Sequence, residues 1–183
     1  MARTLVVVES AAKSRTIQQY LGNGYIVRAC FGHVRDLPVD RMGVDVDRDF
    51  AAEYVVPAAK VDVVKRLKAE AGSAAAVLLA SDPDREGEAI AWHLVAALGL
   101  KSPGALRRIS FHEITREAIL KAVQQPRAID RHLVDAQQAR RILDRLIGYP
   151  VSQVLGRTIR RGLSAGWVQS VAVRLVVDRE RWT

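Results

Sequence analysis

The stretch Val77-Leu78-Leu79-Ala80-Ser81-Asp82-Pro83-Asp84-Arg85-Glu86-Gly87-Glu88-Ala89-Ile90 decides how the chain reads. An apolar, β-prone run ends in a burst of carboxylates and passes into Ala91-Trp92-His93-Leu94-Val95, which has helical character. Strand, acidic turn and helix in that order make an α/β unit whose chemistry gathers at the strand's carboxyl end. Asp82 and Asp84 stand two apart, so continued strand geometry would send both side chains from one face. Pro83 between them fixes its own φ and donates no hydrogen bond. Glu86 follows where the helix should begin, near the positive end of its dipole.

Carboxylates this close stay ionised together only if a cation or basic side chains neutralise them. Hard oxygens without Cys or clustered His favour Mg²⁺ over zinc. Asp82, Asp84 and Glu86 are therefore candidate Mg²⁺ ligands. Mg²⁺ takes one or two protein carboxylates and keeps several waters, which leaves room for a phosphate. The plainer alternative is a solvated acidic loop that caps a helix, and the motif alone leaves it open.

Outward from this unit the chain alternates. Residues 4–8 read as a buried strand ending at Glu9-Ser10, and residues 11–21 as a helix with Ser10 as N-cap. Glu9 thus lies at a second strand-to-helix switch. Lys13 and Arg15 sit in the first turns of that helix, where the dipole disfavours cations; they are surface charge or face an anion. Residues 25–31 predict a strand, followed by a loop carrying His33 and Arg35, candidate phosphate contacts. Residues 40–58 predict an irregular, aspartate-rich connection. Helices are expected over 59–71 and 115–123, with a strand over 107–111 between the acidic unit and the second of them. Beyond 126 only helices follow: 130–147, ending at Gly148-Tyr149-Pro150, then 151–159 and 165–181. The expected fold is α/β, a mostly parallel four-stranded sheet between helices over 1–125, with an α-helical segment over 126–183.

The charge is uneven. The chain carries a formal net charge of +8. From Pro126 to Thr183 there are eleven arginines, no lysine and five acids, which leaves only +2 for the first 125 residues. Arginine's planar fork suits phosphate, so this third is the expected nucleic-acid face. Arg140, Arg141, Arg145 and Arg174 are its candidates. A single cysteine, Cys30, excludes an internal disulfide and suits a reducing compartment. No apolar run is long enough for a membrane span or a signal peptide, so the reading is a cytoplasmic protein that meets no membrane.

Six motifs occur in order: Glu9-Ser10-Ala11-Ala12-Lys13; Phe31-Gly32-His33-Val34-Arg35-Asp36-Leu37-Pro38; Ser81 to Leu94; Phe111-His112-Glu113-Ile114-Thr115; Asp135-Ala136-Gln137-Gln138-Ala139-Arg140-Arg141; and Leu163-Ser164-Ala165-Gly166. Together they resemble the N-terminal part of type IA DNA topoisomerases of the bacterial topoisomerase I kind, over nearly the whole chain. The resemblance implies a Toprim domain, a Rossmann-like parallel sheet between helices. It implies that Glu9 handles the proton at the DNA 3′ oxygen and that Lys13 stands near the scissile phosphate. It also implies that Asp82, Asp84 and Glu86, with Glu9 adjacent, hold Mg²⁺. DNA, mainly single-stranded, is the implied partner, met by His33, Arg35, Arg140, Arg141, Arg145, Gln169 and Arg174. The implied activity is relaxation of negatively supercoiled DNA through a transient single-strand break.

The sequence departs from the family pattern at three places. Ala11 stands for proline, Gly156 for tryptophan, and Trp167 for an arginine implied to bind phosphate. Tryptophan can stack on a base but supplies no charge. The family's nucleophilic tyrosine has no match among Tyr20, Tyr25, Tyr54 and Tyr149. The expectation is an N-terminal fragment, inactive in relaxation by itself, with the rest of the topoisomerase downstream. Two alternatives remain: a free-standing Toprim-type metal-dependent nuclease, and a non-catalytic nucleic-acid-binding module.

Overall fold

The computed structural model describes residues 2–99 and 106–182. Strand β1, Thr4–Val8, sends alternate side chains to the two faces of a sheet. Helix α1, Ala11–Leu21, starts on Ser10, whose Oγ accepts the Lys13 amide at 3.3 Å. Strand β2, Tyr25–Ala29, is two residues shorter than the sequence predicts. Phe31 and Gly32 adopt φ of 60° and 87°, and extended pairing cannot continue through left-handed backbone.

The connection expected to be irregular contains a small antiparallel pair, β3 (Val44–Asp45) and β4 (Ala51–Ala52). Its turn is built by aspartate: the Asp47 amide donates to Asp45 Oδ1 at 3.2 Å. Helix α2 is Val61–Ser73 and strand β5 is Ala76–Leu79. Helix α3 is Arg85–Leu98, strand β6 is Leu106–Arg108, and helix α4 is Arg116–Gln124 with Thr115 as N-cap.

The sheet runs β2-β1-β5-β6, and every pairing is parallel. Parallel neighbours need crossovers, which the helices supply. Period-two alternation splits the core. Leu5 and Val7 pack with Val64, Leu67 and Ala71 of α2 and with Ile90, Leu94 and Leu98 of α3. Val6 and Val8 pack on the other face with Ile17 of α1 and Ile119 and Ala122 of α4. This is the four-stranded α/β sheet between helices that the sequence predicts, and β1 and β5 end side by side at its centre.

Helix α5 runs unbroken from Arg131 to Thr158, through Pro150, where the sequence predicts a stop. Proline removes one i→i−4 bond, and the helix bears that loss while Ser152 Oγ bonds back onto the Gly148 carbonyl. Helix α6 is Trp167–Arg181; the Trp167 side chain lies outside the described residues.

The chain packs as two compact units. The first comprises Met1–Asp36 and Tyr54–Gln137, the second Leu37–Glu53 and Gln138–Thr183. This division differs from a boundary at residue 125. Arg127 and the Asp130 amide bond to Glu88, and Val134 and Gln137 are buried, so the chain beyond 125 stays in the first unit as far as Gln137. Among the described residues no helix is long and apolar enough to cross a membrane.

Candidate active site

The ends of β1 and β5 bring Glu9 and Asp82 together. Glu9 Oε1 accepts the Asp82 amide at 2.8 Å. Lys13, one turn into α1, lies against Asp82 Oδ1 and 3.4 Å from Glu9 Oε2. Burial works against the charge on Lys13, but the Asp82 and Glu9 carboxylates outweigh it and raise its pKa. For Asp82, burial pushes upward and is outweighed by Lys13 and by the Arg108 charge, so its carboxyl is held below the usual range.

The other two acids serve different partners. The strand ends at Leu79, so strand geometry does not continue through Asp82 and Asp84. Asp84 has become the N-cap of α3 and accepts the Gly87 amide at 2.8 Å. Glu86 Oε2 stands 3.2 Å from His33 Nε2 and accepts from Gln137 Nε2 at 3.3 Å. Among the described residues no group of three His, Cys, Asp or Glu converges in a metal-holding arrangement. The donor chemistry still suits Mg²⁺: all are hard oxygens, Mg²⁺ needs only one or two, and Asp84 and Glu86 are exposed. A cleft of about 390 Å³ opens beside Asp82 and Asp84, lined further by Phe111, His112, Glu113 and Ile114.

Behind the acidic turn lies a network that sequence reasoning missed. Arg108 and Glu88 are both 0% exposed and pair at 2.9 Å. Arg108 also donates to the Leu79 carbonyl at 3.1 Å and to the Asp82 carbonyl at 2.6 Å. Glu88 further holds Arg127 and accepts the Asp130 amide at 3.0 Å. A buried pair is tolerable only when its remaining donors and acceptors are met, and here both members bond to further groups. Gly87 lets the turn close: a Cβ there would stand 2.0 Å from the Asp82 carbonyl oxygen.

The Toprim domain family model matches residues 4–114. The chain belongs to the Toprim family. A DNA topoisomerase family model matches residues 128–183. Among solved structures, full-length topoisomerase I from Thermotoga maritima is similar at 50% sequence identity with a TM-score of 0.85 over 97% of this chain. The chain spans 30% of that protein's length. These matches bear out the resemblance to bacterial type IA topoisomerases drawn from the six motifs.

Within the Toprim unit, Arg35 is less available to an anion than its loop suggests. Its guanidinium lies 5.7 Å from the Tyr54 ring centroid and 5.8 Å from that of Trp92, and it donates to the Tyr54 carbonyl. Burial lowers its pKa. His93 is enclosed by Tyr54, Trp92 and His33, at 4.6, 4.8 and 5.7 Å between ring centroids. Among the described residues its Nδ1 has no hydrogen-bond partner, and burial, with His33 and Arg35 nearby, pushes its pKa down to about 3. His93 is thus a neutral wall behind His33.

The remaining candidates belong to the second unit. Arg141, Arg145 and Gln169 line one cleft of about 420 Å³ together with Tyr149, Ser164, Ala165 and Gly166. Arg145 also donates to the carbonyls of Leu37 and Arg41. Arg140 is half-buried and outside that lining, and Arg174 is 78% exposed, paired with Asp178 at 2.9 Å.

Proposed function

We propose that this chain is the phosphate-handling part of a type IA DNA topoisomerase that relaxes negatively supercoiled DNA in the cytoplasm. The reading rests on one observation: Glu9, Lys13 and Asp82 form a single hydrogen-bonded cluster at the adjoining ends of two parallel strands. That is where ligands meet an open α/β sheet. Lys13 offsets the negative charge of a phosphate. Glu9, in reach of the same phosphate, moves the proton of the 3′ oxygen as the P–O3′ bond breaks and re-forms.

Asp82, Asp84 and Glu86 would hold Mg²⁺, and the ion would supply charge neutralisation at the phosphate. The cleft of Arg141, Arg145 and Gln169 supports binding of a single strand, with Arg140 and Arg174 adding charge. His33 orients Glu86 through their contact.

The covalent step needs a tyrosine oxygen to attack phosphorus. Tyr20, Tyr25, Tyr54 and Tyr149 lie in no segment that resembles the family's nucleophile, so the 183 residues by themselves are not expected to relax DNA. The test is negatively supercoiled plasmid with Mg²⁺ and this chain alone, beside a Glu9→Gln control. Unchanged plasmid is expected. A ladder of closed topoisomers that Glu9→Gln abolishes would refute the division of labour. Nicked circles would instead identify a metal-dependent nuclease. Single-strand binding that weakens in Lys13→Met is the expected positive signature.

A further inference from the structure

Among the described residues the charge paired with the Asp82 carboxylate is an ammonium from its own chain, while Arg108 bonds the Asp82 backbone carbonyl. Lys13 sits in the first turn of α1, where the helix dipole disfavours a cation, and the two carboxylates hold it there. Asp84 and Glu86 have other partners: Asp84 holds the start of α3, and Glu86 is bound by His33 and Gln137. Asp82 is thus the acid whose free carboxylate is already neutralised. The pair is not sealed in the core, since the Asp82 side chain is 45% exposed. A lysine's flexible stem lets its head swing without backbone movement.

We propose that Lys13 is a resident counter-ion which a divalent metal must displace from Asp82, and that the displaced ammonium then turns to the phosphate. The inference rests on the Mg²⁺ reading above. It makes the two sites reciprocal. A metal arriving at Asp82 frees Lys13 for an anion, and an anion that draws Lys13 away bares Asp82 for the metal. Linkage requires the two effects to be equal in size.

The test is calorimetric titration of Mg²⁺ into the whole 183-residue chain, comparing the parent with Lys13→Met, Lys13→Gln, Lys13→Arg and Asp82→Asn/Asp84→Asn. Near-UV circular dichroism selects variants that keep the native fold, and Lys13→Gln serves if Lys13→Met does not fold. Losing one partly exposed ion pair should tighten Mg²⁺ roughly fivefold in Lys13→Met and Lys13→Gln. Lys13→Arg should stay near the parent, and the double asparagine variant should lose the signal. A second arm titrates a short single-stranded oligothymidine with and without Mg²⁺. Mg²⁺ should tighten its binding to the parent, and that gain should vanish in Lys13→Met. Parental Mg²⁺ affinity in both neutral Lys13 variants, with a silent double asparagine variant, overturns the counter-ion inference and leaves the metal reading standing. Equal signals from the parent and the double asparagine variant remove the metal reading, and the inference with it.

Discussion

Gly87→Ala separates two forces that point in opposite directions. Gly87 lies in the first turn of α3, and on helix propensity alone alanine would stabilise it by up to ~1 kcal/mol. The packing opposes this. The new Cβ would meet the Asp82 carbonyl oxygen at 2.0 Å and the Asp82 carbonyl carbon and nitrogen at 2.8 Å. These are backbone atoms, so no side chain can swing clear. The turn has to move by more than about 1 Å to reach ordinary contact distance. That displacement pulls Asp82 from Arg108 at its carbonyl and from Glu9 at its amide. Overpacking costs about 1–3 kcal/mol, and two weakened hydrogen bonds add about 1 kcal/mol each. With the propensity gain set against them, a net loss of about 2–4 kcal/mol follows. For a chain of this size the melting temperature should fall by about 5–15 °C. The assay is thermal unfolding followed by circular dichroism, repeated with Mg²⁺. The Mg²⁺-induced rise should also shrink, because the displaced turn carries Asp82. An unchanged or raised melting temperature with a full Mg²⁺ response would refute the reasoning.

Glu88→Gln strips the charge partner from a fully buried Arg108 and should cost about 3–5 kcal/mol in urea unfolding. Burial raises the Glu88 carboxyl, but Arg127, the Asp130 amide and Arg108 outweigh it and hold its pKa below 4.5. Its stabilisation is therefore full above that pH and lost as pH falls through the depressed folded value, a loss that Glu88→Gln should not show. His93 is depressed from 6.5 to about 3, so the unfolded chain binds the extra proton first. Stability should fall with acidification from pH 6.5 downward by up to ~1.4 kcal/mol per unit, and His93→Asn should flatten that slope above pH 4.5. Single-strand binding should weaken with salt at a log–log slope of about −0.7 per phosphate contacted, and Arg141→Ala should reduce that slope by about 0.7 in fluorescence anisotropy titrations.

Where a residue's structural role depends on near neighbours, the sequence shows it. Ser10 and Thr115 each precede a helical pattern, and both are caps. The unbroken apolar run in Thr4–Val8 reads as a buried strand, and its side chains pack on both faces of the sheet. The acidic turn offers three acids for one cap, and the motif does not say which is used. The deciding group is the Gly87 amide, whose geometry depends on contact with Asp82. Arg108 was hidden for a related reason. The pattern places it only in a strand, while its partner Glu88 is twenty residues away and sits in a motif rich in acids. The available signal was Glu88 beside Ala89, Ile90 and Ala91, an acid that opens a buried helical run. Pro150 reads as a stop because local rules count the lost bond and not what surrounds it.

The pairing of Asp36 with Val55, amide to carbonyl in both directions at 2.9 Å, pinches off residues 37–53 at their base. Those residues pack with a part of the chain made much later. Tyr149 reaches the Asp40 carbonyl and Arg145 reaches that of Leu37. During synthesis the segment leaves the ribosome roughly 85 residues before the second unit's remaining part begins, a delay of about 4–17 s at ordinary translation rates. For that interval the Asp36–Val55 clasp and the β3–β4 pair are contacts that the segment can already make by itself.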